Sequence, residues 1–142
     1  MQIAFRVPGL PVAQPRQRNR VQFINGHPVS RNYTPQAHPV NAWKAAIRAA
    51  AAAVYTAAPL TGPINLAATL VFPRPKSMIW KTRPMPRVPH TSRPDVENAI
   101  KALLDSLTGI IYVDDAQVCS LFAGKYTAAG DEQAFTEVVI TS

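Results

Sequence analysis

Three features of the 142-residue sequence predict an α+β fold, a mixed sheet carrying two main helices. Ile3, Phe5 and Val7 alternate with Gln2, Ala4 and Arg6, the period-2 signature of a half-buried strand. Two stretches carry helical character, one dominated by alanine and one with apolar residues recurring at helical spacing. Two strand-like segments then close the chain. With 47% apolar and 16% charged residues, the composition suits one soluble domain over residues 1–142, long enough to bury a real core.

The first strand ends at Pro8-Gly9, and a proline- and arginine-rich loop follows over residues 11–20. Val21 to Ile24, then Asn25-Gly26, then His27 to Ser30 read as a hairpin with a tight turn. Residues 41–58, bracketed by Pro39 and Pro59, predict a helix. Residues 64–72 are mostly apolar and predict a central strand. The proline-rich segment 73–94 excludes a helix or inner strand, because proline removes backbone donors and fixes φ. Trp80 and Met85, set among its cations, suit a loop that lies on bases.

Beyond it, Val96, Ile100, Leu103, Leu104 and Leu107 share one helix face, and Gly109 stands at the expected C-terminal cap. A short apolar run, residues 110–113, leads into Asp114-Asp115, and strands over residues 118–126 and 134–141 complete the order.

Charge is segregated along the chain. Thirteen of the 15 Lys and Arg residues precede Asp95, and all eight acids lie at or beyond it. Ninety-four residues without a carboxylate point to a polyanion, because clustered cations attract phosphates and release their counterions. The candidate DNA-binding cations are Arg16, Arg18, Arg20 and Arg31, with Arg74, Lys76, Lys81, Arg83, Arg87 and Arg93 in the proline-rich segment. No apolar run approaches the roughly 20 residues of a membrane span and no signal-peptide pattern stands at Met1, so the expected compartment is the cytosol. The single cysteine, Cys119, rules out an intrachain disulfide and a multi-cysteine zinc site. The three histidines are scattered, and two of them precede proline.

Five acids fall between Asp95 and Asp115. Taken singly they have structural explanations: Asp95 as a helix cap, and Glu97 paired with Lys101 one turn on. Taken together they suggest more. A helix of about a dozen residues and a short return can bring Asp114-Asp115 back beside the helix start. Carboxylates converging in a cationic protein repel one another unless a hard divalent cation joins them, and Mg²⁺ suits phosphodiester cleavage.

The run from Pro94 through Lys101, continued by Asp114-Asp115-Ala116-Gln117-Val118, resembles the RusA family of Holliday junction resolvases, whose signature is D-x-D-N-x-x-K followed by D-D-x-Q-V. Val7 to Pro11, Arg16, Arg18 and Tyr33-Thr34-Pro35 are similar to phage and prophage members. The resemblance implies a dimeric endodeoxyribonuclease that makes paired cuts in branched, four-way DNA. It implies catalytic roles for Asp95, Glu97, Lys101 and Asp115, and metal binding by Asp95, Glu97, Asp114 and Asp115. Asn98 matches the family asparagine. Glu97 stands where the family usually has aspartate and reaches one methylene further, a departure that bears on the choice between Mg²⁺ and Mn²⁺. Two other readings compete: a non-catalytic DNA-binding or regulatory protein on the same fold, and a PD-(D/E)xK nuclease. The second needs a downstream acid-x-lysine, and the sequence has neither Asp-x-Lys nor Glu-x-Lys.

Overall fold

The N-terminal alternation does what the pattern demands: in β1 (Gln2–Pro8), Ile3, Phe5 and Val7 face inward and their neighbours face solvent. The computed structural model describes residues 1–15 and 18–142. Next come β2 (Arg18–Ile24) and β3 (His27–Tyr33), then α1 (Pro39–Val54) and β4 (Ile64–Phe72). A two-residue strand, β5 (Val88–Pro89), precedes α2 (Val96–Leu107), and β6 (Val118–Thr127) and β7 (Phe135–Thr141) end the chain.

Five strands form one sheet in the order β1-β7-β4-β6-β5, mixed because β4 and β6 run parallel while the other pairs are antiparallel. β4 is central, and its helix-facing side chains Ile64, Leu66, Ala68, Leu70 and Phe72 are buried in the core, whereas Asn65 on the other face is exposed and Ala67 and Thr69 are half-buried. Both helices pack on one face. Val40, Trp43, Ile47 and Ala51 of α1, with Ile100, Leu103 and Leu107 of α2, meet Ile3, Phe5, Leu66 and Ile140 of the sheet in one core.

α1 stops at Val54, short of the expected Ala58. Tyr55 is already extended, its hydroxyl donates to Ala58 O at 2.7 Å, and Pro59 disfavours helix at the residue before it. At the other end, His38 Nδ1 accepts from Val40 N–H at 3.1 Å and caps the helix. The run 110–113 is not a regular strand. It contributes only isolated bridges, Tyr112 with Leu60 and with Thr108.

The β2–β3 hairpin is separate from the main sheet. Asn25 and Gly26 both have positive φ (52° and 78°), the requirement of the two-residue turn that matches strand twist.

Candidate active site and nucleic-acid surface

α2 is the platform of the site, and three contacts fix where it starts. Lys125 of β6 donates from Nζ to Ser92 O at 2.6 Å and to Pro94 O at 2.8 Å. His90 stacks on Phe72 at 4.5 Å between ring centroids, and its Nδ1 meets Thr127 Oγ1 at 3.0 Å. Gln14 N–H donates to Asn98 O at 3.0 Å, laying the N-terminal loop on the first turn. Asp95 occupies the cap position, yet its side chain makes no capping hydrogen bond. Its carboxylate is therefore not consumed in capping, and only the helix dipole remains as a structural reason for an acid here. Asp95 and Asn98 line a recess with Gln14, whose Oε1 is buried without a partner among the described residues.

The second half of the site is built by the return from α2. Gly109, with φ of 81°, turns the chain where residues with a Cβ are strained. Asp114 Oδ1 then accepts from Ala116 N–H at 2.8 Å, and Gln117 Oε1 accepts from Asp114 N–H at 2.9 Å. Gln117 also donates from Nε2 to Leu60 O at 2.8 Å and Gly62 O at 2.9 Å. One amide therefore ties the Asp114-Asp115 turn to the segment entering β4. Asp114 is occupied as a cap, whereas Asp115 projects outward.

Glu97, Lys101 and Asp115 line one groove of about 360 Å³, floored by Val96, Ile100 and Leu104 of α2 and by Leu121 and Ala123 of β6. Asp105, one turn beyond Lys101, completes its acidic rim. The expected Glu97–Lys101 ion pair does not form: among the described residues the ion pairs are Arg6–Glu137 and Arg87–Glu132. Lys101 is thus held beside the acids without being neutralised by one of them. The Asp115 carboxyl is raised above its ordinary value, first by desolvation, then by its hydrogen bond to Asp114 and by the Asp114 and Asp105 charges.

This donor set fits a hard cation in part. The donors are carboxylate oxygens, and the repulsion felt at Asp115 is what a divalent ion would relieve. Among the described residues, however, no three acids converge on one point, so the full convergence of Asp95, Glu97, Asp114 and Asp115 is not formed. Asp95 faces the adjoining recess instead. Mg²⁺ is commonly held by one or two carboxylates plus water and substrate phosphate, and Glu97 and Asp115 are the two carboxylates of this groove that could serve in that way.

Comparison with known proteins settles the family. The family model described as endodeoxyribonuclease RusA matches residues 8–141. The chain belongs to the RusA family. RusA-family proteins are endonucleases that resolve Holliday junctions, and every residue that lines the groove, together with Asp95, lies within the matched residues. The chain is also 29% identical, over 97% of its length and 94% of the relative's, to the uncharacterized protein YqaN of Bacillus subtilis (strain 168).

The cations expected to bind DNA divide into free and committed groups. Arg18, Arg20 and Arg31 are exposed on the hairpin, and Lys76, Lys81 and Arg93 are exposed on the long loop. Arg16 lies outside the described residues. Arg74 is used internally, donating to Met78 O at 2.7 Å, Pro86 O at 3.0 Å and Ala128 O at 3.2 Å. Arg87 forms a two-point pair with Glu132, which holds that carboxyl down at about 2. Trp80 differs from the expected base-stacking side chain: the Arg74 and Arg83 guanidiniums already lie over its ring at 4.9 and 4.1 Å. Met85 accepts from Trp80 N–H through Sδ, so both side chains order the loop itself. No helix among the described residues is long and apolar enough to cross a membrane.

Sequence reasoning missed Asp105, Lys125 and Gln14. Asp105 was detectable, since it continues the Glu97 and Lys101 stripe at i+4. Lys125 and Gln14 gave no local signal, because each acts on a segment distant in sequence.

Proposed function

We propose that this chain is a Mg²⁺-dependent endonuclease that resolves four-way DNA junctions through paired cuts by a homodimer. The observation that carries the reading is the groove holding Glu97, Lys101 and Asp115, with Asp95 at the start of the same helix making no capping bond, all within the residues matched by the family. Glu97 and Asp115, with Asp95 alongside, are the residues to hold the cation. When bound, it supplies Lewis-acid stabilisation of the phosphate and a more acidic water. Lys101 offsets negative charge on the non-bridging oxygens, an electrostatic role that its lack of an ion-pair partner among the described residues leaves open. The main-chain carbonyl of Asn98 accepts from Gln14 N–H and so holds the N-terminal loop against the first turn of α2. Mn²⁺ is a reasonable substitute, because Glu97 reaches further than aspartate and relaxes the geometry that Mg²⁺ demands. The free cations grip the arms chiefly by their phosphates. The matching compartment is the bacterial cytosol, for a host-, phage- or prophage-encoded enzyme.

The free edge of β6 supports a second copy as partner. β5 covers only Tyr126 and Thr127, and Leu121 and Phe122 lie on the uncovered part at 47% and 65% exposure. Residues 118–124 carry none of the lysines or prolines that normally protect an edge. Lys125 O accepts from His90 N–H, so by alternation Leu121 and Ala123 also turn their backbone groups outward. Antiparallel pairing of two copies about Phe122 satisfies those groups and sets the two Phe122 rings opposite each other.

The test is incubation of purified protein with end-labelled four-way junction and linear duplex, with Mg²⁺ or with chelator. Cleavage of the junction alone, and only with the cation, is expected. Metal-independent cutting, or equal cutting of the duplex, contradicts the reading.

A further inference from the structure

The β2–β3 hairpin is a two-stranded ribbon with no buried side chain on either face. Two strands alone are marginal in water, so such an arm gains its order from a partner. Its register shows what that partner must be. Residues opposite one another share a face, which places Arg18, Arg20 and Arg31 together with Tyr33, and Ile24 at the tip, on one side. The other side carries Val21, Phe23 and Pro28 near the tip, above a hydrogen-bonded strip of Asn19, Ser30 and Asn32. Phe23 is 75% exposed and Val21 59% exposed. No acid occurs on the ribbon.

We propose that this ribbon reads the branch point of the DNA: its arginine face holds phosphates, and its Phe23 face packs on bases that the crossover leaves unstacked. The inference rests on the junction-resolving function proposed above and adds the source of its structural selectivity. In an intact duplex both faces of every base are covered by neighbours, so an apolar tip finds little to touch. At a crossover, aromatic and apolar side chains can stack on or wedge between bases. The arginines act on either DNA, since phosphates are everywhere. Affinity and selectivity are therefore carried by opposite faces of one element. The Phe23 face is too small to serve as a protein interface, because three side chains fall well short of the roughly 800 Å² per partner of a stable complex.

The experiment uses the full-length protein without divalent cation, a four-way junction with 2-aminopurine at the branch point, and a linear duplex of matching sequence. Phe23→Ala is expected to weaken junction binding by about tenfold, within the range of base–aromatic stacking, and to leave duplex binding within about twofold. It also removes the change in 2-aminopurine emission on binding, and Phe23→Trp restores both readouts. Arg20→Ala and Arg31→Ala are expected to weaken junction and duplex alike. The proposal is overturned if Phe23→Ala keeps the wild-type junction preference and emission change, or if it weakens both DNAs equally. It is also overturned if Phe23→Ala alters sedimentation while junction binding is unchanged, which would assign the face to contact between copies. If the wild-type protein binds neither DNA, the junction-resolving function falls first, a result distinguishable from all of these.

Discussion

Replacing Gln117 with alanine separates the geometry of the site from its chemistry, because the Gln117 side chain bonds Asp114 N–H, Leu60 O and Gly62 O rather than a groove-lining carboxylate and yet holds the turn that presents Asp115. The substitution removes three hydrogen bonds: from Asp114 N–H at 2.9 Å, to Leu60 O at 2.8 Å and to Gly62 O at 2.9 Å. Leu60 O keeps the bond from Val113 N–H, and Gly62 is exposed, so water replaces part of the loss. At about 1 kcal/mol net per bond, discounted for that replacement, the expected destabilisation is about 1–2 kcal/mol. In a domain of this size that lowers Tm by about 2–8 °C. The effect on rate should be larger than the effect on stability. A displacement of about 1 Å at a reacting group can cost about 10²-fold, and the Asp114-Asp115 turn loses its side-chain tie to the β4 entry, keeping only the backbone bonds of Ile111 and Val113 to Leu60. Single-turnover cleavage of a four-way junction at saturating enzyme, with Tm by circular dichroism, measures both. A variant that melts with the wild type and cuts within threefold of its rate would refute the positioning role.

Lys101→Ala should lower single-turnover cleavage by about 10²–10³ with little loss of junction affinity, and a rate within threefold of wild type would return Lys101 to an ordinary surface role. Phe122→Lys, on the free edge of β6, should convert the protein to monomer in sedimentation at micromolar concentration, and an unchanged dimer would place the interface elsewhere. The Arg87–Glu132 pair predicts a pH-dependent stability. The folded-state value of Glu132, about 2, lies below its ordinary 4.5, so the stabilisation is present above about 4.5 and is lost as pH falls toward 2. The Tm deficit of Glu132→Gln should therefore be present at neutral pH and shrink in acid, and a deficit that grows on acidification would contradict the assignment.

Local pattern revealed the elements well, and non-local geometry set what it could not reveal. The alternation of Ile3, Phe5 and Val7, the Asn25-Gly26 turn and the apolar run of β4 are each read from neighbours in sequence, and each forms as expected. The parallel pairing of β4 with β6 and the insertion of β7 between β1 and β4 depend on which edges meet, and no local pattern carries that. The site divides in the same way. Glu97 and Lys101 at i,i+4, and a helix of the right length to return Asp115 beside them, were legible as spacing. The Lys125 anchor beneath Pro94 and the commitment of Trp80 to two guanidiniums were not, because each is a contact between segments remote in sequence or folded by proline.

In the proposed mechanism the acidic groove of each protomer in a homodimer cuts one strand of the junction, and mapped cleavage by the wild type, Asp95→Asn and Asp115→Asn tests this most directly. With each strand of a four-way junction labelled in turn and Mg²⁺ present, the wild type should give symmetric cuts in two opposing strands. Each variant should bind the junction at least as tightly and give no cut if, as proposed, the carboxylates serve the metal and the cations hold the DNA. Wild-type protein that binds the junction but leaves all four strands intact in both Mg²⁺ and Mn²⁺, or either variant cutting at the wild-type rate, would contradict the account.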